Sequence, residues 1–204
     1  EIYTFTGWDN GETANPYTFN LSSNLTITPE YSAKTDTPYI VNHYQMNLDG
    51  EHYTVAETES LTGTTDSPIT PATKTYTGFT SPETQTTTIS GNNDTVVNYY
   101  YTRNQYTLTL TNSQFVVEDK SGPHYYDEEI TLTAIDRQGY TFAGWNTGET
   151  TKTITFSMPV DGITVEPLYT ASDSTTYSVT HKYRQLTTEE EYDVVTVNGT
   201  GETG

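Results

Sequence analysis

The sequence contains no cysteine, and this absence excludes several kinds of site at once. A chain without thiols forms no disulfide bond, no zinc–thiolate centre and no cysteine nucleophile. Basic side chains are also scarce, with 8 Lys and Arg against 27 Asp and Glu and a formal net charge of −19. Because nucleic acids and anionic lipids are bound through basic side chains, the charge argues against both as partners. We interpret the acidity as a solvated surface, with divalent cation binding as the alternative.

Long apolar runs are missing as well, so the sequence predicts no membrane-spanning helix. Ala and Leu are few, which argues against long amphipathic helices. In their place Thr makes up roughly a fifth of the residues, well above ordinary usage, and there are 18 Tyr. Both residue types favour the surface of a β-sheet. No signal peptide or sorting signal is visible, and we expect the chain to be an interior stretch of a longer protein.

The sequence starts to repeat itself after about 138 residues. The matches are Tyr3–Trp8 with Tyr140–Trp145, Gly11–Thr13 with Gly148–Thr150, and Tyr39, Val41 and His43 with Tyr177, Val179 and His181. They predict two alternating modules, A and B: half of A at 1–32, B at 33–104, A at 105–170 and half of B at 171–204. The terminal halves belong to different modules and do not complete each other. Either the array continues, or neighbouring chains supply the missing strands.

Alternation of apolar residues with Thr predicts β-strands that have one face inward and a Thr face in water. The predicted strands are 96–101, 106–111, 130–133, 153–158 and 163–165, with turns at 49–50, 91–94, 121–123 and 146–148. One short helix is predicted at 71–75, and 81–88 is too polar to assign. The expected fold is mainly β, in an elongated array of small modules. Trp8, Trp145 and the Tyr residues supply much of each core.

Module A resembles the divergent InlB B-repeat, or Listeria–Bacteroides repeat, family. The resemblance rests on 129–134 (EITLTA), 139–145 (GYTFAGW) and 163–169 (ITVEPLY). Module B resembles the MucBP-type repeats through 41–44 (VNHY), Asp49-Gly50, 61–63 (LTG), Gly78-Phe79 and 96–101 (VVNYYY). Both resemblances imply small β-grasp-like modules, with at most one short helix each, in surface proteins of Gram-positive bacteria. The implied location is extracellular, either attached to the cell wall or secreted.

Three functions follow as hypotheses, and an enzyme is not expected. The first is a structural stalk, spacer or filament segment of an adhesin whose partners are the neighbouring repeats. The second is an adhesive module that binds host glycan or mucin through Tyr-lined faces. The third is a self-assembling fibre subunit whose half-modules are completed by strand exchange between chains.

We predict no catalytic, cofactor-binding or metal-binding residue, and no cofactor. The carboxylate runs 127–129 and 189–191 alternate between the faces of a strand, so neither forms an acid–base pair. The loop 92–94 lacks the ligand spacing of an EF-hand and is interpreted as a turn. His43 and His181 are expected to pack on a strand face, and His52 and His124 have no assigned partner.

The sequence does not decide between the presence and absence of two covalent modifications, crosslinks and glycosylation. Lys–Asn isopeptide or Thr–Gln ester crosslinks occur in some Gram-positive stalk modules. An isopeptide bond would involve one of the five lysines Lys34, Lys74, Lys120, Lys152 and Lys182. Glycosylation would involve the Thr-rich faces or the sequons that begin at Asn20 and Asn198.

Overall fold

A computed structural model describes residues 2–184 and 192–203, and the chain divides into two compact units, 1–104 and 105–204. The strands of the first unit are β1 (Tyr3–Trp8), β2 (Pro29–Ala33), β3 (Thr37–Met46), β4 (Tyr53–Gly63), β5 (Pro68–Ile69), β6 (Phe79–Thr80), β7 (Thr87–Thr88) and β8 (Val96–Arg103). Those of the second are β9 (Gln105–Leu110), β10 (Gly122–Tyr125), β11 (Glu129–Thr133), β12 (Tyr140–Trp145), β13 (Thr153–Ser157), β14 (Ile163–Val165), β15 (Pro167–Ala171), β16 (Thr175–Arg184) and β17 (Tyr192–Gly201). Among the described residues the only helical element is a 3-10 turn, Ser113–Phe115. The prediction of a mainly β fold is therefore confirmed.

In the first unit a four-stranded sheet has the order β4-β3-β8-β6. β3 runs antiparallel to β4 and parallel to β8. The inward face of this sheet forms a core of Tyr39, Val41, Ile89, Val97, Tyr99 and Tyr101. The expected role of Tyr in the core is confirmed here, since Tyr99 and Tyr101 have no exposed surface.

In the second unit β9 lies between β10 and β14, and β14 runs parallel to it. β11 pairs with β13, and β12 pairs with β15. These strands enclose a core of Leu108, Leu110, Val116, Ile130, Leu132, Ala134, Trp145, Ile154, Met158 and Val165. The predicted Thr face is confirmed on β11 and β13, where the hydroxyl oxygens of Thr131 and Thr155 lie 2.9 Å apart.

The recurring Gly-Trp sequence forms a short loop that closes on its own tryptophan. The main-chain N–H of Trp145 donates to the carbonyl oxygen of Glu149 at 2.8 Å, and the indole N–H donates to the carbonyl oxygen of Thr151 at 2.9 Å. Gly144 has φ of +129°, and a Cβ there would lie 2.9 Å from the oxygen of Glu149. Glycine is therefore required where the chain bulges before the Trp.

The first copy of this loop has the same bonds. The main-chain N–H of Trp8 donates to the oxygen of Glu12 at 2.7 Å, and its indole N–H donates to the oxygen of Ala14 at 2.9 Å. Trp145 is only 2% exposed, whereas Trp8 is half-buried. The expected burial of tryptophan is thus confirmed for Trp145 and holds only in part for Trp8.

Strand register repeats between the two units. Tyr3 lies opposite Ala33 in β1–β2, as Tyr140 lies opposite Ala171 in β12–β15, and each pair of strands has a bulge before its Gly. β16–β17 repeats β3–β4 as far as the histidine, with Thr175 opposite Gly201 as Thr37 is opposite Gly63. The bulge that follows His43 in β3–β4 has no counterpart in β16–β17. The sequence repeat is therefore also a repeat of strand pairing.

The helix predicted at 71–75 is wrong, because that segment is without regular structure. Tyrosine side chains of β8 form hydrogen bonds with main-chain groups of this segment, which would pair with each other in a helix. The Tyr99 hydroxyl donates to the carbonyl oxygen of Pro71 at 2.6 Å, and the main-chain N–H of Lys74 donates to the Tyr101 hydroxyl at 2.7 Å. The unassigned stretch 81–88 ends in β7, which pairs with β5.

Candidate functional site

A junction of main-chain and hydroxyl bonds joins β1–β2 to β3–β4 in the first unit. The N–H of Lys34 donates to the oxygen of Ile2 at 3.0 Å, and the N–H of Thr65 donates to the oxygen of Lys34 at 2.9 Å. The hydroxyl oxygens of Thr37 and Thr65 lie 2.5 Å apart, and these two residues are 3% and 1% exposed. The Tyr3 hydroxyl donates to the Asp66 carboxylate. The linker between these strand pairs is therefore held at several points.

The second unit builds the same junction from equivalent residues. The N–H of Ser172 donates to the oxygen of Gly139, and the N–H of Thr203 donates to the oxygen of Ser172, both at 2.9 Å. The hydroxyl oxygens of Thr175 and Thr203 lie 2.5 Å apart. Each residue occupies the place of its counterpart in the first copy, although Ser172 replaces Lys34 and Gly139 replaces Ile2. Sequence analysis identified the repeat but not these bonds, since most of them use main-chain atoms.

His43 lies in the core of the first unit with no exposed surface. Its Nδ1 is 2.8 Å from the Tyr101 hydroxyl, and its Nε2 is 3.0 Å from Oε2 of Glu59. Because the ionised Glu59 carboxylate can only accept, Nε2–H donates to it, and in that tautomer Nδ1 accepts from the Tyr101 hydroxyl. The hydrogen bonds from His43 and then Lys74 lower the pKa of Glu59. Both ring nitrogens are thus occupied inside the protein, and the arrangement stabilises the sheet.

His181, the counterpart of His43 on β16, is exposed. Its ring stacks on Tyr183 at 6.4 Å between ring centroids. The residues opposite Val179 and His181 are Val197 and Val195, in the places that Glu59 and Glu57 occupy in the first copy. The two histidines share a strand position and differ in their surroundings.

His124 has an acceptor at each ring nitrogen. Nδ1 is 2.9 Å from the Glu128 carboxylate, and Nε2 is 2.8 Å from the carbonyl oxygen of Lys120. Burial disfavours the charged ring, but the hydrogen bonds to Lys120 and Glu128 outweigh it and raise the pKa of His124. Two acceptors fit the doubly protonated imidazolium, so this pair is a structural ion pair.

His52 belongs to the predicted turn at Asp49-Gly50, which is confirmed. Oδ1 of Asp49 accepts from the main-chain N–H groups of Glu51 and His52, each at 2.9 Å. These bonds, that of His52 first, lower the pKa of Asp49 to about 2. The ring of His52 lies 2.8 Å from the other carboxylate oxygen, and both side chains are exposed.

The three carboxylates of the run 127–129 lie in different local surroundings. Asp127 lies in a turn with φ of 62°, Glu128 accepts from His124, and Glu129 begins β11. The run 189–191 lies outside the described residues. No group of three or more His, Asp or Glu able to hold a metal occurs in residues 2–184 and 192–203. In the loop 92–94 the N–H of Asn92 donates to the Ser90 hydroxyl at 3.1 Å, as in a plain turn.

Three of the five lysines considered for crosslinks form ion pairs with carboxylates. Lys74 contacts Glu57 and lies 3.0 Å from Glu59. Lys120 lies 3.7 Å from Glu118, and Lys152 contacts Asp136. Lys182 is exposed on β16, and Lys34 lies at the first junction. The sequon residues Asn20 and Asn198 are exposed.

Three tyrosines cluster on the outer face of the four-stranded sheet. The rings of Tyr44 and Tyr100 stack at 5.0 Å, and Tyr53 meets Tyr100 edge to face at 5.2 Å. Tyr53 and Tyr100 are 36% and 47% exposed. Beside them the Asn42 amide N–H donates to the Asn98 side-chain oxygen at 3.0 Å. Exposed rings beside amide groups are chemically suited to polar ring-shaped ligands.

Comparison with protein families identifies one segment of the chain. Residues 106–181 match the divergent InlB B-repeat domain, so the expected likeness of the A-type segment to this family is confirmed. This family is a structural and adhesion repeat found in bacterial surface proteins. No curated protein and no solved structure matches the chain. The likeness of 33–104 to MucBP-type repeats, the module boundaries and the β-grasp detail stay predictions.

No helix among the described residues has the length and apolar character needed to cross a bilayer.

Proposed function

We propose that this chain is a spacer segment of a bacterial surface adhesin, located outside the cell and either attached to the wall or secreted. The observation that carries the proposal is the junction that recurs at equivalent residues in the two units. Lys34, Thr65 and Ile2 in one copy, and Ser172, Thr203 and Gly139 in the other, make the same main-chain bonds. A spacer needs successive modules joined in one reproducible geometry, and repeat arrays gain length in this way.

Charge supports the same role. With a net charge of −19, chains crowded on a surface repel one another and stay dispersed. Ion pairs and hydrogen bonds connect His43, His124 and Lys74 to neighbouring side chains within the modules, which suits a structural part better than a catalytic one.

Small-angle X-ray scattering tests the spacer role on the full chain and on versions with one or two further copies of 33–170 inserted after residue 170. We expect the maximum dimension to grow by a constant increment per copy. Changing both Lys34 and Ser172 to Pro, in every copy, removes one of the two main-chain N–H donors of each junction and should abolish the constant increment. Changing the same residues to Ala retains the donors and should leave it unchanged. A maximum dimension that does not grow with copy number would contradict the proposal.

A second candidate, glycan or mucin binding, is favoured by the exposed cluster of Tyr44, Tyr53 and Tyr100. We expect Tyr100→Ser to weaken glycan binding about tenfold, because a stacking ring contributes roughly 1 kcal/mol beyond its buried area. Tyr31→Ser is the matched control, since Tyr31 is 59% exposed on β2, outside the cluster. Isothermal titration with purified mucin glycans measures both variants. No detectable heat with the unmodified chain would rule this candidate out.

A further inference from the structure

Tyr44 and Tyr100 form a stacked pair of phenol rings on the outer face of the four-stranded sheet. The two residues lie opposite each other in the parallel strands β3 and β8. Their ring centroids are 5.0 Å apart, and the ring planes differ by 17°. Because the two tyrosines are more than 50 positions apart in the sequence, the stack exists only where β8 pairs with β3. Folding therefore brings two phenols into contact along their faces.

One ring of this pair is well exposed to solvent. Tyr100 is 47% exposed, and Tyr44 beside it is partly buried. The neighbours of Tyr100 on β8, Tyr99 and Tyr101, have no exposed surface. An oxidant in solution therefore reaches Tyr100 on this strand, and Tyr44 is in contact with the ring that is oxidised.

Two stacked phenols can be joined by oxidation through a carbon–carbon bond. Removal of one electron and one proton from each hydroxyl gives two phenoxyl radicals, whose unpaired electrons are shared with the ring carbons ortho to the oxygen. The spin density at these carbons lies in orbitals perpendicular to the ring, so the bond forms between rings that face each other. The hydrogen atoms of the two joined carbons then move to the phenoxyl oxygens as protons, which restores both phenols.

We propose that Tyr44 and Tyr100 are a site of oxidative crosslinking, at which a carbon–carbon bond between the two rings ties β3 to β8. The oxidant is a peroxide, since hydrogen peroxide takes up the two electrons and two protons and is reduced to two molecules of water. This goes beyond the spacer role, because the junctions of the spacer are held by hydrogen bonds and need no covalent bond between strands.

The composition of the chain fits a crosslink of this kind. There is no cysteine, so no disulfide bond ties the strands, whereas there are 18 tyrosines. A crosslink between residues far apart in the sequence restricts the unfolded chain and thereby stabilises the folded unit. The net charge of −19 keeps chains apart, and the partner ring is already in place within the chain. Both effects favour coupling within one chain over coupling between chains.

Tyr53 is a poorer partner for Tyr100 than Tyr44 is. Its ring meets Tyr100 edge to face, at an interplanar angle of 80°. At this angle the perpendicular orbitals of the two rings are nearly at right angles to each other and overlap little. The core pair Tyr76 and Tyr101, at 86°, has the same disadvantage. Ring orientation therefore assigns the crosslink to Tyr44 and Tyr100.

The test is treatment of the dilute full chain with hydrogen peroxide and a haem peroxidase, followed by intact mass measurement and peptide mapping. We expect a monomer whose mass is lower by about 2 Da, the mass of the two hydrogen atoms lost. The peptides that contain Tyr44 and Tyr100 should be joined, at a rate independent of chain concentration. The melting temperature of the first unit should rise by about 5 °C or more, because the closed loop restricts the unfolded state.

Four phenylalanine substitutions distinguish the stacked pair from other tyrosines. Tyr44→Phe and Tyr100→Phe each remove a hydroxyl from which a radical forms and should abolish the crosslink within the monomer. Tyr53→Phe should retain it, because this ring is not part of the stack. Tyr31→Phe is the control for an exposed tyrosine outside the cluster, at 59% exposure, and should also retain it. Circular dichroism before oxidation checks that all four variants keep the fold.

Four results would overturn the proposal: a monomer of unchanged mass, products joined only between chains, a crosslink that maps to other tyrosines or is lost in Tyr53→Phe, or a crosslinked chain with an unchanged melting temperature. The scattering increment of the spacer is measured without oxidant and does not involve this bond. Failure here is therefore distinguishable from failure of the proposed function.

Discussion

Replacing Trp145 with alanine is expected to unfold the second unit or to bring it close to unfolding. The indole is 2% exposed, packs edge to face on Phe142 at 5.9 Å and donates to the oxygen of Thr151. Truncating such a side chain destabilises a domain by about 3–5 kcal/mol, which approaches the whole stability of a small module. Urea denaturation followed by amide NMR signals of the second unit, such as that of Leu132, measures the loss.

Trp8→Ala is the matched control for this effect. Trp8 occupies the same place in the repeat and makes the same indole bond, to Ala14, but it is only half-buried. We therefore expect a clearly smaller loss, confined to signals of the first unit. Equal losses for the two variants would show that burial in the second-unit core is not what makes Trp145 important.

Tyr101→Phe is expected to destabilise the first unit by about 2–4 kcal/mol, although it removes one oxygen atom. That hydroxyl accepts from Lys74 and donates to Nδ1 of His43, and both groups would lose their partner within the core. Each buried polar group left without a partner costs about 1–3 kcal/mol. Thermal unfolding by circular dichroism, with first-unit amide signals as the local readout, measures the change.

Tyr100→Phe provides the comparison one residue earlier on the same strand. Tyr100 points to the outer face and is 47% exposed, so we expect a change within about 0.5 kcal/mol. If Tyr101→Phe were equally mild, the hydrogen bonds around His43 would not contribute to stability as described.

Much of the secondary structure could be predicted from the sequence, because alternation is a local signal. The Thr alternation marks β9, β11 and β13 within one or two residues, and the turn at Asp49-Gly50 follows from its residue types. What alternation does not specify is the partner of each strand. The parallel pairings of β3 with β8 and of β9 with β14 join residues more than 50 positions apart, and no local pattern encodes them.

The absence of the predicted helix at 71–75 and the absence of strands in 16–27 have the same cause. Residues 71–75 lack regular structure because Tyr99 and Tyr101, distant in sequence, bond their main chain. Residues 16–27 form no strand, although their counterparts include β13 and β14. Those strands pair with β11 and β9, which have no counterpart in residues 1–33. Tertiary partners thus decide structure where propensity is weak.

The candidate site was less predictable than the fold. The residue types of the sequence led to the expectation of no catalytic or metal centre, and the feature that carries the proposed function is a junction. Because most of its hydrogen bonds use main-chain atoms, only the comparison of the two copies, such as Lys34 with Ser172, reveals it.

The Gly-Trp loop has a consequence for how an array of such modules folds. Every bond that closes it lies within seven residues, from Trp145 to Thr151, so little chain entropy is lost on closure. Contacts this local form before strands far apart in sequence find each other. In a chain that carries similar strands many times, pairing with the wrong copy is the characteristic error. A loop that closes on its own tryptophan gives each module a local starting point, so each copy begins to fold from its own residues.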